Sequence, residues 1–241
     1  MSYEFRFDTV LRHWDLLAQG LLYTILISIA TLVLSSILGM VVAVIRLRRI
    51  RVLSPILGLY VEFFRGTPPL VQLVWIYYCL PIIFNVNLPD VVSVTLAMSL
   101  YTAAFLAEVF RAGIQGIDKG QTHAALAVGM TNRQAMRRIV IPQATYRMIP
   151  AIGNVFVTTI KLSSLCSVLG FPELMYQGQH IQQVYFRPIE ALTVVALLYF
   201  AVTWSTSQGL SYLERRLAWE KRTPRAGRKD QQIQRYEAPE A

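Results

Sequence analysis

The chain has 241 residues, of which 54% are hydrophobic and only 15% charged, with a mean hydropathy of +0.44. A soluble domain carries charge on about a quarter of its residues, so this composition excludes one and indicates an integral membrane protein. The formal charge of +9 is then read by location along the chain, because Lys and Arg collect on the cytoplasmic side of a membrane protein. It is not a nucleic-acid signal.

Residues 1–19 mix Glu4, Arg6, Asp8, Arg12 and Asp15. The apolar run behind them is too long for a signal-peptide core, so these residues are expected as a retained extracytoplasmic segment. The first span is Gly20 to Ile45, an uncharged run that stops at Arg46, Arg48, Arg49 and Arg51. The second uncharged run, Gly66 to Pro89, opens on Gly66-Thr67-Pro68-Pro69, a sequence that breaks a helix, and Glu62 and Arg65 just before it are spaced for an i, i+3 pair. The third is Val91 to Ala107, continuing to Phe110, and Glu108 and Arg111 at its end repeat that spacing. A fourth is expected from Met148 to about Gly170 and a fifth from Ala191 to Leu213.

Segments 46–65, 111–147 and 215–235 hold 5, 6 and 8 of the 23 Lys and Arg residues. Five spans with the N-terminus outside and the C-terminus in the cytoplasm place all three segments inside. A six-span arrangement would strand a basic loop outside. The fold class expected is therefore all-α integral membrane with about five transmembrane helices, a permease domain over 20–213 and a basic, disordered cytoplasmic tail over 214–241.

The stretch from Gly120 to Pro142 is too polar to cross a membrane. Gln121 to Val128 is rich in alanine, Gly129 is placed as a helix-terminating glycine, and Thr131 with Gln134 has the spacing of a capping box. A short helix–turn–helix carrying Arg133, Arg137 and Arg138 and ending at Pro142 is expected within a cytoplasmic loop of about 111–147.

Ionisable groups at membrane depth are functional candidates. Lys161 is the clearest: counted from Ile149 at ~1.5 Å per residue it lies roughly 18 Å deep. Asn154, Thr158 and Lys161 share one helical stripe by their i, i+4, i+7 spacing. With Ser163 and Ser164 they define the expected substrate path, which Val155 and Leu162 join only through what a family resemblance implies. The stripe must face protein or water, and a structural lysine bonded to carbonyls of a neighbouring helix is the competing reading. Glu108 lies too near the cytoplasmic end to pair with Lys161. Cys79 and Cys166 read as packed thiols, and His13, His123 and His180 have no metal-ligand spacing. No GxxxxGK[ST], GxSxG or HExxH occurs, so neither nucleotide hydrolysis by a phosphate-binding loop nor hydrolytic chemistry is expected on this chain.

The 120–142 stretch resembles the EAA loop of ABC-transporter permease subunits, in which EAA is followed by three residues, Gly, nine residues and I-x-x-P. Ala124-Ala125, Gly129, Ile139 and Pro142 fall on that pattern. GLLYTILIS, YVEFFRGTPPLVQ, TAAFLAEVFRAGIQGIDKGQ and IVIPQATYRMIPAIGN extend the resemblance to the polar amino-acid uptake branch, over roughly residues 20–213. It implies a permease of the bacterial inner membrane that is not itself an enzyme and holds no cofactor. ATP and Mg would be bound by separate cytoplasmic ATPase subunits. A second permease subunit, identical or different, and an extracytoplasmic solute-binding protein would complete the importer.

His123 stands where the family's glutamate lies, and Val155 and Leu162 stand where members that carry basic amino acids have acidic residues. The resemblance thus implies either a non-cationic substrate or a pocket held by the other permease. An ion-coupled secondary carrier, with Lys161 or Glu108 as its proton site, is the alternative from another class. The absence of paired mid-membrane acids weighs against it.

Overall fold

The computed structural model describes residues 4–217, and all regular structure among them is helical. The tail expected to be disordered lies almost wholly outside the described residues; residues 214–217 continue the last helix.

In chain order the helices are α1 (Phe7–Leu11), α2 (Trp14–Leu47), α3 (Leu53–Gly66), α4 (Pro69–Phe84) and α5 (Asp90–Gln115). Next come α6 (Lys119–Ala127), α7 (Asn132–Ala135), a π-turn (Met136–Val140) and α8 (Ile141–Leu162). A 3-10 stretch (Ser163–Leu169), α9 (Leu174–Tyr185) and α10 (Pro188–Leu217) complete the order.

α2 is the central element, and its packing follows from one stripe of small residues. Gly20, Thr24, Ser28, Thr31, Ser35, Gly39 and Ala43 recur at helical spacing and are buried, whereas Leu22, Leu26, Ile29, Val33 and Ile37 point outward. Small side chains let helix backbones approach closely where lipid supplies no hydrophobic drive between helices. A Cβ on Gly39 would lie 3.0 Å from both the Ala103 carbonyl and the Ala107 amide, so α2 lies backbone to backbone on α5. A Cβ on Gly20 would meet the Cα of Leu174 at 2.9 Å, which brings the N-terminal half of α2 equally close to α9.

Among the described residues, four helices are long and apolar enough to cross a membrane: Trp14–Leu47, Asp90–Gln115, Asn132–Leu169 and Pro188–Arg216. The expected second run contains a single short helix, α4, behind the expected break. α3 and α4 form a pair bent by 114°, and only counting that pair as one span gives five. The bend falls at Thr67-Pro68, as the GTPP sequence leads one to expect, with both residues extended. The expected Glu62–Arg65 pair does not form among the described residues; the Arg65 guanidinium instead lies 5.6 Å from the centre of the Phe105 ring.

The fourth span also differs from expectation. It begins well before Met148, because helical structure runs unbroken from Asn132 through Pro142 into α8. Proline removes an N–H and crowds the carbonyl four residues back, which usually ends a helix. Here the π-turn widens the helix just ahead of it, the Ile141 N–H bonding to the Met136 carbonyl five residues back, and Pro142 sits in the first turn beyond. Pro142 therefore does not end the segment, and the residue count that put Lys161 near mid-membrane loses its starting point.

Candidate functional site

Two regions gather the residues singled out from the sequence. The first is the exposed elbow between α6 and α7. Asp118 caps α6 by accepting from the Gly120 N–H at 2.7 Å. At the other end Gly129 takes a left-handed φ of +84°. Its N–H bonds to the Leu126 carbonyl at 3.0 Å, and that of Met130 to the Ala125 carbonyl at 3.1 Å. These are the two bonds of a Schellman terminus. Thr131 then opens α7 with a full capping box: its Oγ1 accepts from the Gln134 N–H at 3.3 Å, and its own N–H bonds to Gln134 Oε1 at 2.8 Å. The N–H groups of Gly129, Met130 and Thr131 are thereby held by bonds only a few residues long.

The elbow presents a mixed surface. His123, Ala124, Gly129, Arg133, Arg137 and Arg138 are exposed, as are Leu126 and Val128, the latter by 75%. Nothing lies within 4 Å of a Cβ placed on Gly129. Ala125, in contrast, is only 2% exposed. It faces its own chain, so it lets α6 lie close to the helix that follows and offers no surface to a partner. Ile139 is half-buried and Pro142 exposed.

The second region is a cleft of about 240 Å³ between α5 and α8. From α8 it is lined by Asn154, Val155, Thr158, Thr159 and Leu162, and from α5 by Tyr101, Thr102 and Phe105. Of the seven expected substrate-path residues, four thus line one cleft. Lys161 does not line it: it is exposed one helical turn beyond Thr158. Ser163 is buried, donating to the Ile160 carbonyl at 2.7 Å, and Ser164 donates to that of Lys161 at 2.7 Å. Both begin the 3-10 stretch and lie outside the cleft.

Thr158 and Thr159 donate their hydroxyls to carbonyls of their own helix, those of Asn154 and Val155, each at 2.9 Å. Beside these two, the Asn154 amide and the hydroxyls of Tyr101 and Thr102 are the polar groups of the cleft. The three α5 residues carried no signal in the sequence, since nothing in an apolar run marks which face meets another helix.

Two acid clusters have partners that the sequence did not show. Glu108 forms the expected pair with Arg111, whose Nε donates to Oε2 at 3.0 Å, and its Oε1 additionally accepts from Arg46 of α2. Glu173, fully buried, caps α9: it accepts from the N–H groups of Met175 at 2.9 Å and Tyr176 at 2.8 Å, and from the hydroxyls of Thr24 and Tyr199. Burial pushes its carboxyl above the usual range, against these hydrogen bonds.

Spanning helices around a small-residue stripe, a bent pair, a basic elbow and a cleft between α5 and α8 describe a multi-pass membrane protein. The family model for binding-protein-dependent transport system inner membrane components matches residues 35–219, and the chain belongs to that family. It is 42% identical over 200 residues to the probable amino-acid ABC transporter permease protein PatM of Vibrio harveyi, covering 82% of this chain and 90% of that protein. A crystal structure of an amino acid ABC transporter with histidines superposes with a TM-score of 0.84 at 35% identity, covering 89% of this chain and all of that one. The MetNI methionine ABC transporter in an inward-facing form gives 0.72 at 19% identity, a likeness of fold alone.

Proposed function

We propose that this chain is the membrane-spanning subunit of an ATP-driven importer for a polar amino acid or a related compound, resident in the bacterial cytoplasmic membrane. The observation that carries this reading is the elbow at Gly129, an ordered, exposed turn on the residues that match the EAA loop, joined without a break to the helix that lines the cleft. Its partners are cytoplasmic ATPase subunits that bind ATP and Mg, a second permease subunit and an extracytoplasmic solute-binding protein. The N-terminus lies outside and the three basic segments inside. His123, Ala124, Gly129 and the following arginines form the surface offered to the ATPase. Ala125 and Ile139 support it from within, and Pro142 opens the helix behind it.

Closure of the ATPase pair on ATP displaces the elbow, and the spans rock about the cleft. Substrate crosses along Asn154, Val155, Thr158 and Leu162, while Lys161 borders the route from the exposed face of α8. Nothing in the elbow is needed by a carrier driven by an ion gradient.

The test is co-purification of the tagged chain with its ATPase in detergent, before and after substitution at Gly129. Gly129→Asn tolerates positive φ and should keep the ATPase bound and active. Gly129→Trp projects bulk into the open space beyond the elbow and should release or uncouple it. Uptake in vesicles that contain no ATPase and no nucleotide would sink the importer reading.

A further inference from the structure

The turn between α2 and α3 carries Arg48, Arg49 and Arg51, all exposed, and among the described residues none of the three is in an ion pair. Arg46, just before them, is turned inward onto Glu108. The turn is held in one shape. The Arg48 N–H bonds to the Val44 carbonyl at 3.0 Å and the Arg49 N–H to that of Arg46 at 3.2 Å. Ser54 Oγ donates to the Ile45 carbonyl at 3.1 Å, which ties the start of α3 to the end of α2. Arg49 has a left-handed φ of +52°, a conformation that glycine or asparagine takes at less cost than a long side chain. Positive charge at the end of a span requires none of this, since any slack basic loop supplies it.

The flanks of the turn are apolar and open. Val41 near the end of α2, Val52 in the turn, and Ile56 and Leu59 on α3 are exposed, Leu59 by 69%. α3 is held from its other side, where Val61 is buried with Ala104 and Ala107 of α5. α3 also begins without a side-chain cap, so the positive end of its dipole adds to the charge of the arginines.

A guanidinium pairs with phosphate oxygens through parallel N–H bonds. A soluble anion would use the arginines and leave the apolar flanks without a partner. A phospholipid uses both, its phosphate at the turn and its chains along the helices. A zwitterionic headgroup would bring its own cation to a place that already holds three, so the headgroup that fits is anionic.

We propose that the α2–α3 turn is a binding site for an anionic phospholipid. Arg48, Arg49 and Arg51 hold the phosphate, and the acyl chains lie along Val41, Ile56 and Leu59. The site requires only that the chain crosses a membrane and is independent of the importer reading.

The full chain, purified in detergent, is titrated with phosphatidylglycerol and with phosphatidylcholine of the same acyl chains, and bound lipid is counted by native mass spectrometry. Expected is tighter binding of phosphatidylglycerol, weakened about tenfold or more when Arg48→Gln, Arg49→Asn and Arg51→Gln are combined. Asparagine is used at 49 because it accepts the left-handed backbone. Arg48→Gln with Arg51→Gln leaves that residue untouched and should lose part of the binding, so a folding defect at 49 does not decide the test. The unfolding midpoint without lipid checks each variant. Arg133→Gln, Arg137→Gln and Arg138→Gln together remove the same charge from the elbow and should leave lipid binding as in the parent. Equal binding of the two lipids overturns the proposal. So does an equal loss in the elbow variant, which would make net charge the cause, and so does displacement of the lipid by inorganic phosphate, which would make a free anion the ligand. Unchanged lipid binding in the turn variants, with loss of a co-purifying subunit, would assign the arginines to a protein partner instead.

Discussion

Gln72 donates its side-chain amide to the carbonyl of Phe64 at 3.0 Å. In a continuous helix that carbonyl would accept from residue 68, which is a proline and has no N–H to give. The same amide reaches the Thr67 carbonyl at 3.1 Å and the Thr67 hydroxyl. One buried side chain thus satisfies the acceptors that the bend between α3 and α4 leaves open. Buried acceptors stripped of their donor cost about 1–3 kcal/mol. Gln72→Leu should lower the thermal unfolding midpoint of the purified assembly, and Gln72→Glu, which removes both amide hydrogens, should lower it at least as far. Midpoints equal to the parent's would show that the bend does not depend on this residue.

Glu108 is shared by Arg46 of α2 and Arg111 of its own helix, and the side chains of Arg46 and Glu108 are 18% and 19% exposed. Glu108→Gln leaves two partly buried guanidinium groups without a counter-charge, and a loss of about 2 kcal/mol is expected. The double variant Arg46→Met with Glu108→Met should recover part of it, because no unpaired charge then joins α2 to α5. Chemical denaturation of the parent and the two variants checks the order.

Glycines at close contacts should differ by what they touch. Gly20→Ala sets its new carbon against the Leu174 backbone at 2.9 Å, which cannot retreat without moving α9. Gly113→Ala is nominally tighter, at 2.2 Å, but the atom it meets is Cγ of Met148, on a flexible side chain. Gly20→Ala should therefore reduce assembled protein in the membrane far more than Gly113→Ala. Equal yields of the two would argue against a fixed α2–α9 contact.

The buried Glu173 gives a pH dependence with a definite sign. Burial raises its carboxyl in the folded chain, so between the ordinary carboxylate value and the raised one the folded state holds a proton that the unfolded state has lost. Stability therefore falls as pH rises across that interval and is level on either side. Glu173→Gln does not titrate and should flatten this part of the profile, read as unfolding midpoint against pH from about pH 4 upward. An unchanged slope would assign the dependence to another group.

What could be read from the sequence was local. The spans announced themselves as uncharged runs ending in arginine, and the bend as Thr67 before two prolines. The elbow was legible because Gly129, Thr131 and Gln134 work through bonds only a few residues long. Pro142 misled because the widening that accommodates it is spread over the preceding five residues. Arg46 and Glu108 are 62 positions apart, and Thr24 and Glu173 149 apart. Nothing near any of them names its partner. Glutamate is also not among the preferred helix-capping residues, so Glu173 gave no warning of its place. The cleft was half legible: polarity marked Asn154 and Thr158 on α8, while Tyr101 and Phe105 look like any other residues of an apolar span.

The π-turn has a mechanical consequence. Because helical structure continues without a loop from Asn132 through Met136–Val140 into α8, the elbow and the cleft lie on one helical element, interrupted in its bonding only at Pro142 and Pro150. From Asn132 to Val155 it measures roughly 35 Å at ~1.5 Å per residue. A force applied beside Thr131 is not absorbed by an intervening loop but arrives at Asn154 and Leu162 as tilt or rotation. On the proposed function, repositioning of the elbow is therefore carried along the same helix that forms one wall of the cleft.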